Sequence, residues 1–135
     1  MAIVRRLGLT LAIAAAGALI ASPAYAASWH AISGTVYSPC SGHIWYKSTN
    51  PRTKSGDGAI KLQFSQLNPG GVTWKLIRQN GLQLGVTQSW AGTEEGITRT
   101  LATGVNGGVT FYNMFKEYDG QCWHHDYSFN GSEYY

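Results

Sequence analysis

The chain has 135 residues, of which 13% are charged and 44% hydrophobic, and its formal net charge is +3. Arg5 and Arg6 belong to an N-terminal leader, and without them eight basic residues face seven acidic ones. That balance gives no support for nucleic-acid binding, which depends on a clustered basic surface, and no apolar run reaches the ~20 residues of a membrane-spanning helix.

In chain order, the first element is an export signal. Arg5 and Arg6 precede an apolar run of about 15 residues, from Leu7 to Ala21, and Ala24-Tyr25-Ala26 forms a small-x-small cleavage site. Residues 1–26 are therefore expected to be removed, through the general secretory route. The remaining 27–135, about 109 residues, are the size of one secreted, extracellular domain.

Trp29 to Tyr37 predicts a first strand, and His43 to Thr49 a second. In the second, Trp45 shares a phase with His43 and Lys47, away from Ile44 and Tyr46. Residues 50–58 carry no large apolar side chain and predict a surface loop, with Arg52 and Lys54 as its basic contacts. Ile60, Leu62 and Phe64 then alternate with Lys61, Gln63 and Ser65, the pattern of a half-buried strand.

Asn68 to Gly71 reads as a turn, and Val72, Trp74 and Leu76 as the core face of the next strand. Asn80-Gly81 predicts a two-residue type I′ hairpin, because both central positions of that turn need positive φ. Leu82, Leu84 and Val86 carry the return strand, with Trp90 at its end. Gly92 to Gly96 reads as an exposed turn. Ile97, Leu101 and Val105 share one phase of the following strand. After the turn Asn106-Gly107-Gly108, Val109, Phe111 and Phe115 point one way and Tyr112 and Met114 the other. Cys122 to Phe129 predicts a last strand, and Asn130-Gly131-Ser132, a glycosylation sequon, reads as a turn.

About eight short strands with Gly- and Asn-rich turns and no helix predict an all-β domain. Tight turns make neighbouring strands antiparallel. The expected architecture is an antiparallel two-sheet, immunoglobulin-like sandwich of about seven or eight strands, with a small closed β-barrel as the alternative. Trp45 or Trp74 would be the buried tryptophan of such a sandwich.

Cys40 and Cys122 are the only cysteines. In an exported domain they predict one disulfide. It would close a loop of about 80 residues, for which chain entropy gives roughly 4–4.5 kcal/mol. Together with His43, His124, His125 and Asp126 they have the residue types of a metal site, but thiolate ligands would need a reducing compartment. The expectation is polar residues flanking a disulfide, with no metal and no cofactor.

Catalytic motifs are missing: there is no Gly-x-Ser-x-Gly, no His-Glu-x-x-His and no phosphate-cradling glycine loop. Glu94-Glu95 sit in a turn, and adjacent strand residues such as His125-Asp126 face opposite ways. A non-enzyme is expected. What the chain has in surplus is aromatic residues, with five Trp and, outside the leader, seven Tyr. Rigid rings on a surface suit protein or sugar contact. The predicted contact residues are Trp45, Trp90, Tyr112, Arg52 and Lys54.

Three stretches, Lys54 to Leu62, Thr100 to Val105 and Phe129 to Tyr135, resemble short single-domain β-proteins exported by actinobacteria. Among such proteins are the small adaptor subunits of secreted umbrella-toxin particles. The resemblance implies a non-catalytic bridge between larger secreted subunits and carries over no individual residue. The expected partner is thus a secreted or cell-surface protein. A polysaccharide is the alternative, as is a role as inhibitor of a secreted hydrolase or antibacterial effector; neither nucleic acid nor membrane insertion is expected.

Overall fold

A computed structural model describes residues 26–37, 44–67, 70–118 and 125–135. Among these there is no helix, and nine strand segments follow in order. They are β1 (Trp29–Val36), β2 (Tyr46–Lys47), β3 (Arg52–Thr53), β4 (Gly58–Gln66) and β5 (Val72–Arg78). Then come β6 (Gln83–Trp90), β7 (Arg99–Val105), β8 (Thr110–Glu117) and β9 (Tyr127–Tyr134). Alternation writes most of them: in β4, Ile60, Leu62 and Phe64 are fully buried while their neighbours are half-exposed.

Every described pairing is antiparallel. One sheet runs β1-β9-β4-β7 and the other β2-β8-β5-β6, with β3 also on β8. The expected antiparallel two-sheet sandwich is therefore present, and it is not a closed barrel. Its strand order is finer information than alternation carries. An immunoglobulin sandwich keeps its first and second strands together. Here β1 pairs along its whole length with β9, from Trp29↔Tyr134 to Val36↔Tyr127. The chain crosses between sheets at almost every connection, and β5–β6 is the one pair of consecutive strands joined by a ladder. That order is a jelly roll.

The core lies between the sheets and is aromatic at its centre. Phe64, Trp74 and Phe129 meet edge to face, with centroids 5.6, 5.4 and 5.7 Å apart. Phe115 stacks on Trp74 at 5.0 Å. Such pairs contribute about 0.5–1.5 kcal/mol each beyond the area they bury. Of the two tryptophans expected as the buried one, Trp74 lies in the core. Cys40 and Cys122, with the disulfide expected between them, and His43 and His124 lie outside the described residues.

Four local expectations are corrected. The hairpin at Asn80-Gly81 is one residue longer than a type I′ turn: Gly81 N donates to Arg78 O and Arg78 N to Leu82 O. In β6 a bulge opposite Trp74 and Leu76 turns Val86 out to 51% exposure. Ile97 precedes β7 and is likewise exposed. Asn130-Gly131-Ser132 is the middle of β9, not a turn. Gly131 is needed there because a Cβ would come within 2.3 Å of Gln63 O on β4.

Candidate binding site

The outward side chains of the five-stranded sheet form one face. Ladder register places Lys47 beside Met114 and Met114 beside Lys75, and it places Tyr112 beside Ile77. Trp45 stands at the entry to β2. Two rings carry three ammonium groups. Lys47 Nζ is 3.8 Å from the Tyr112 centroid. Lys75 and Lys116 Nζ are 4.2 and 5.1 Å from the Trp45 centroid. Each contact contributes roughly 0.5–1 kcal/mol at an exposed site. More usefully, it fixes where the charge stands.

No acid occupies an outward position on β2, β5, β6 or β8. Glu117, the one acid in these strands, is buried. Among the described residues, Lys47 and Lys75 have no carboxylate partner within ion-pair distance. The face is thus cationic and ringed by aromatic surface, and it attracts and orients anionic groups.

Of the residues singled out by sequence, Trp45 and Tyr112 share this face. The other three do not. Trp90 is fully buried, packs edge to face on Phe64 at 5.1 Å, and donates from Nε1 to Ile97 O at 2.9 Å. It is a core residue: it closes β6 in the same phase as the buried Leu84. The Arg52/Lys54 segment is no free loop: Arg52–Thr53 pairs with Phe111 and Thr110 of β8. Lys54 is 1% exposed, its Nζ has no hydrogen-bond partner, and burial pulls its pKa down against the raising effect of Asp57.

Arg52 belongs to a buried chain of polar groups that crosses between the sheets. Trp74 Nε1 donates to Asn113 Oδ1 at 3.0 Å, and Asn113 Nδ2 donates to Glu133 Oε2 at 2.9 Å. Arg52 Nε lies 2.9 Å from the same oxygen as an ion pair, and its Nη1 donates to Tyr135 OH at 2.9 Å. Glu133 is fully buried. Desolvation raises its pKa to about 7, outweighing the Asn113 hydrogen bond and the Arg52 charge, which both lower it. Sequence reasoning missed this group. A lone Glu at an inward position of the last strand was its only trace.

The Glu94-Glu95 pair is consumed by its own loop. Glu94 accepts from Ala91 N at 2.9 Å and from Arg99 Nη2 at 2.7 Å, and these contacts hold its pKa down. Glu95 Oε1 accepts from Leu67 N at 2.8 Å. Among the described residues no group of three His, Cys, Asp or Glu is placed to hold a metal ion. No helix among them is long and apolar enough to cross a membrane.

No protein-family model matches the chain, and no curated protein does. Among solved structures, the Yersinia pseudotuberculosis-derived mitogen aligns with a TM-score of 0.42 and 13% identity, over 79% of this chain and 86% of that one. The VP2 subviral particle of infectious bursal disease virus aligns with a TM-score of 0.33 and 16% identity, over 80% of this chain but 29% of VP2. The jelly-roll assignment rests on the strand order itself.

Proposed function

We propose that this is a secreted, non-catalytic binding domain whose cationic sheet face receives an acidic protein surface, as an adaptor in an extracellular complex would. The observation that carries this reading is the pair of lysines, Lys47 and Lys75, held over Tyr112 and Trp45 with no carboxylate among the described residues to neutralise them. Surfaces of this kind speed and orient encounter with an oppositely charged partner. A flat face bearing large rings also has the area for a protein contact. Neutral polysaccharide fits less well. Its modules stack sugars on bare coplanar rings, and here ammonium groups already stand over both rings.

The test is capture of the partner from culture medium by the tagged chain, with K47E/K75E beside it. The expected result is an acidic protein held by the natural chain, released between about 0.05 and 0.5 M salt, and not held by the double variant. Capture that ignores both salt and the charge reversal would overturn the reading.

A further inference from the structure

The two sheets have four margins: β1 and β7 on one, the β2/β3 edge and β6 on the other. Three of them carry the devices that protect an edge from pairing with another chain. β2 and β3 are two-residue segments. Residues 48–51 between them stand opposite only Tyr112 and Asn113 of β8, so this edge bows, and Lys47, Pro51 and Arg52 lie on it. β6 is interrupted by its bulge, and β7 begins at Arg99 and shifts register against β4. β1 has none of these devices. Its eight residues pair with β9 without a register shift and include no Lys, Arg, Asp, Glu or Pro. An opening of 450 Å³ lies between it and the bowed edge.

The ladder fixes which backbone groups this margin offers. Ser28 and Tyr135 exchange both N–H···O bonds, each at 3.2 Å. Trp29↔Tyr134 continues the same register. Even-numbered residues of β1 therefore turn their N–H and C=O toward β9, and Trp29, Ala31, Ser33 and Thr35 turn theirs away from it. Among the described residues nothing bonds to these outward backbone groups. The side chains of the same four residues stand on the outer face of the sheet. Ile32 and Val36 point into the core, and a Cβ at Gly34 would meet the Phe129 ring. Three of the four are small, and the fourth, Trp29, is 46% exposed.

We propose that β1 pairs with β1 of a second copy of this chain, antiparallel about a two-fold axis at Ile32. The strand is its own complement in this register. Trp29 lies opposite Thr35 of the second copy and Ala31 opposite Ser33, and the two-fold axis repeats both pairs. Every outward N–H and C=O of the four residues then has a partner. Aromatic against β-branched is a favourable cross-strand pair. Charge selects the occupant: a margin with no charged side chain offers nothing to an acidic partner, and it meets its own copy without repulsion. The dimer carries one continuous sheet, with the two β1 strands at its centre and a β7 at each end. Seven paired residues cover only about 24 Å of edge. Such an interface falls below ~1,200 Å², the size of weak, reversible association. Lys47 and Lys75 belong to the other sheet, so each copy keeps its cationic face.

Sedimentation velocity of the secreted chain from about 1 to 500 μM, with amide hydrogen exchange at both ends of that range, tests it. The expected result is a reversible monomer–dimer equilibrium with Kd of about 10–100 μM. On dimerisation the amides of Trp29, Ala31, Ser33 and Thr35 should gain at least about tenfold protection, while those of His30, Ile32, Gly34 and Val36 are protected at every concentration. Ser33→Pro removes one outward donor and leaves the β9 ladder whole, so it should weaken the dimer by at least about tenfold, whereas Ser33→Ala changes it less than about threefold. Ala31→Lys brings like charges together across the axis and gives a second reading of the same loss should the proline variant not fold. A chain still monomeric at about 500 μM, outward amides already protected in the monomer by some other part of the chain, or folded Ser33→Pro and Ala31→Lys variants that dimerise unchanged would overturn the proposal. So would open assemblies larger than a dimer. K47E/K75E should dimerise as the natural chain does, so its loss of partner capture and the loss of dimer in Ser33→Pro are separate results.

Discussion

The two flanks of the sandwich are built from the same kinds of strand and end in opposite states. Where β6 meets β7, backbone approaches backbone. Gly85 has φ +76°, and a Cβ there would come within 2.0 Å of Leu101 O. Gln88 Nε2 donates to Thr100 O at 3.2 Å, and Trp90 Nε1 donates to Ile97 O just beyond. Where β1 faces β2 and β3, the edge strand is broken by Pro51 and its neighbours, and 450 Å³ stays open. One residue without a side chain seals a flank; two residues beyond the partner's count hold the other apart. Edge strands need protection from stray pairing, and this molecule gives its two flanks different kinds: close contact on one side, a bowed, lysine-bearing strand on the other.

The largest effect should come from breaking the sealed flank. Gly85→Val adds both a backbone penalty at positive φ and a collision with β7, so a loss of about 3 kcal/mol or more is expected in urea unfolding. A change under about 1 kcal/mol would mean that the flank is not held by this approach. Next is the polar chain that ends at the open flank. The native Glu133 carboxyl keeps its proton up to about pH 7, while its ordinary value is 4.5. Between those values the unfolded state binds fewer protons, so stability falls as pH rises from 4.5 to 7, by on the order of 3 kcal/mol. Glu133→Gln should remove that slope, as read from urea midpoints across the pH range. The smallest effect belongs to the open flank itself. Thr49→Val with Asn50→Ala touches exposed side chains without protein partners, so stability should change by less than about 0.5 kcal/mol. That pairing of rigid and tolerant flanks would be undone if the double variant unfolded as readily as Gly85→Val.

Sequence made the central strands legible because their inward faces are apolar without exception: Ile60, Leu62 and Phe64 in β4, and Val72, Trp74 and Leu76 in β5. It also put Tyr112 outside, opposite in phase to the core residue Phe111, and Trp45 outside, opposite in phase to Ile44 and Tyr46. It failed where tertiary contact overrides local signal. Lys54 has no apolar neighbours in sequence, yet strand pairing at Arg52–Thr53 carries it inside. Asn130-Gly131-Ser132 has turn residues, yet close approach of β4 requires its glycine within a strand. Trp90 stands beside small residues, but the ring belongs to the core. Sheet order was illegible for a further reason. Alternation says which way a side chain points and nothing about which distant strand lies alongside, so the pairing of Trp29 with Tyr134 left no mark on either segment.

That pairing governs when the molecule can assemble. β9 lies between β1 and β4, not at a margin. A ribosome-borne fragment ending before Tyr127 holds two strands that must stand about 9.6 Å apart with nothing between them. Neither can close the gap without abandoning its place, so consolidation waits for synthesis of β9. Assembly is then dominated by contacts distant in sequence, which are slow to form.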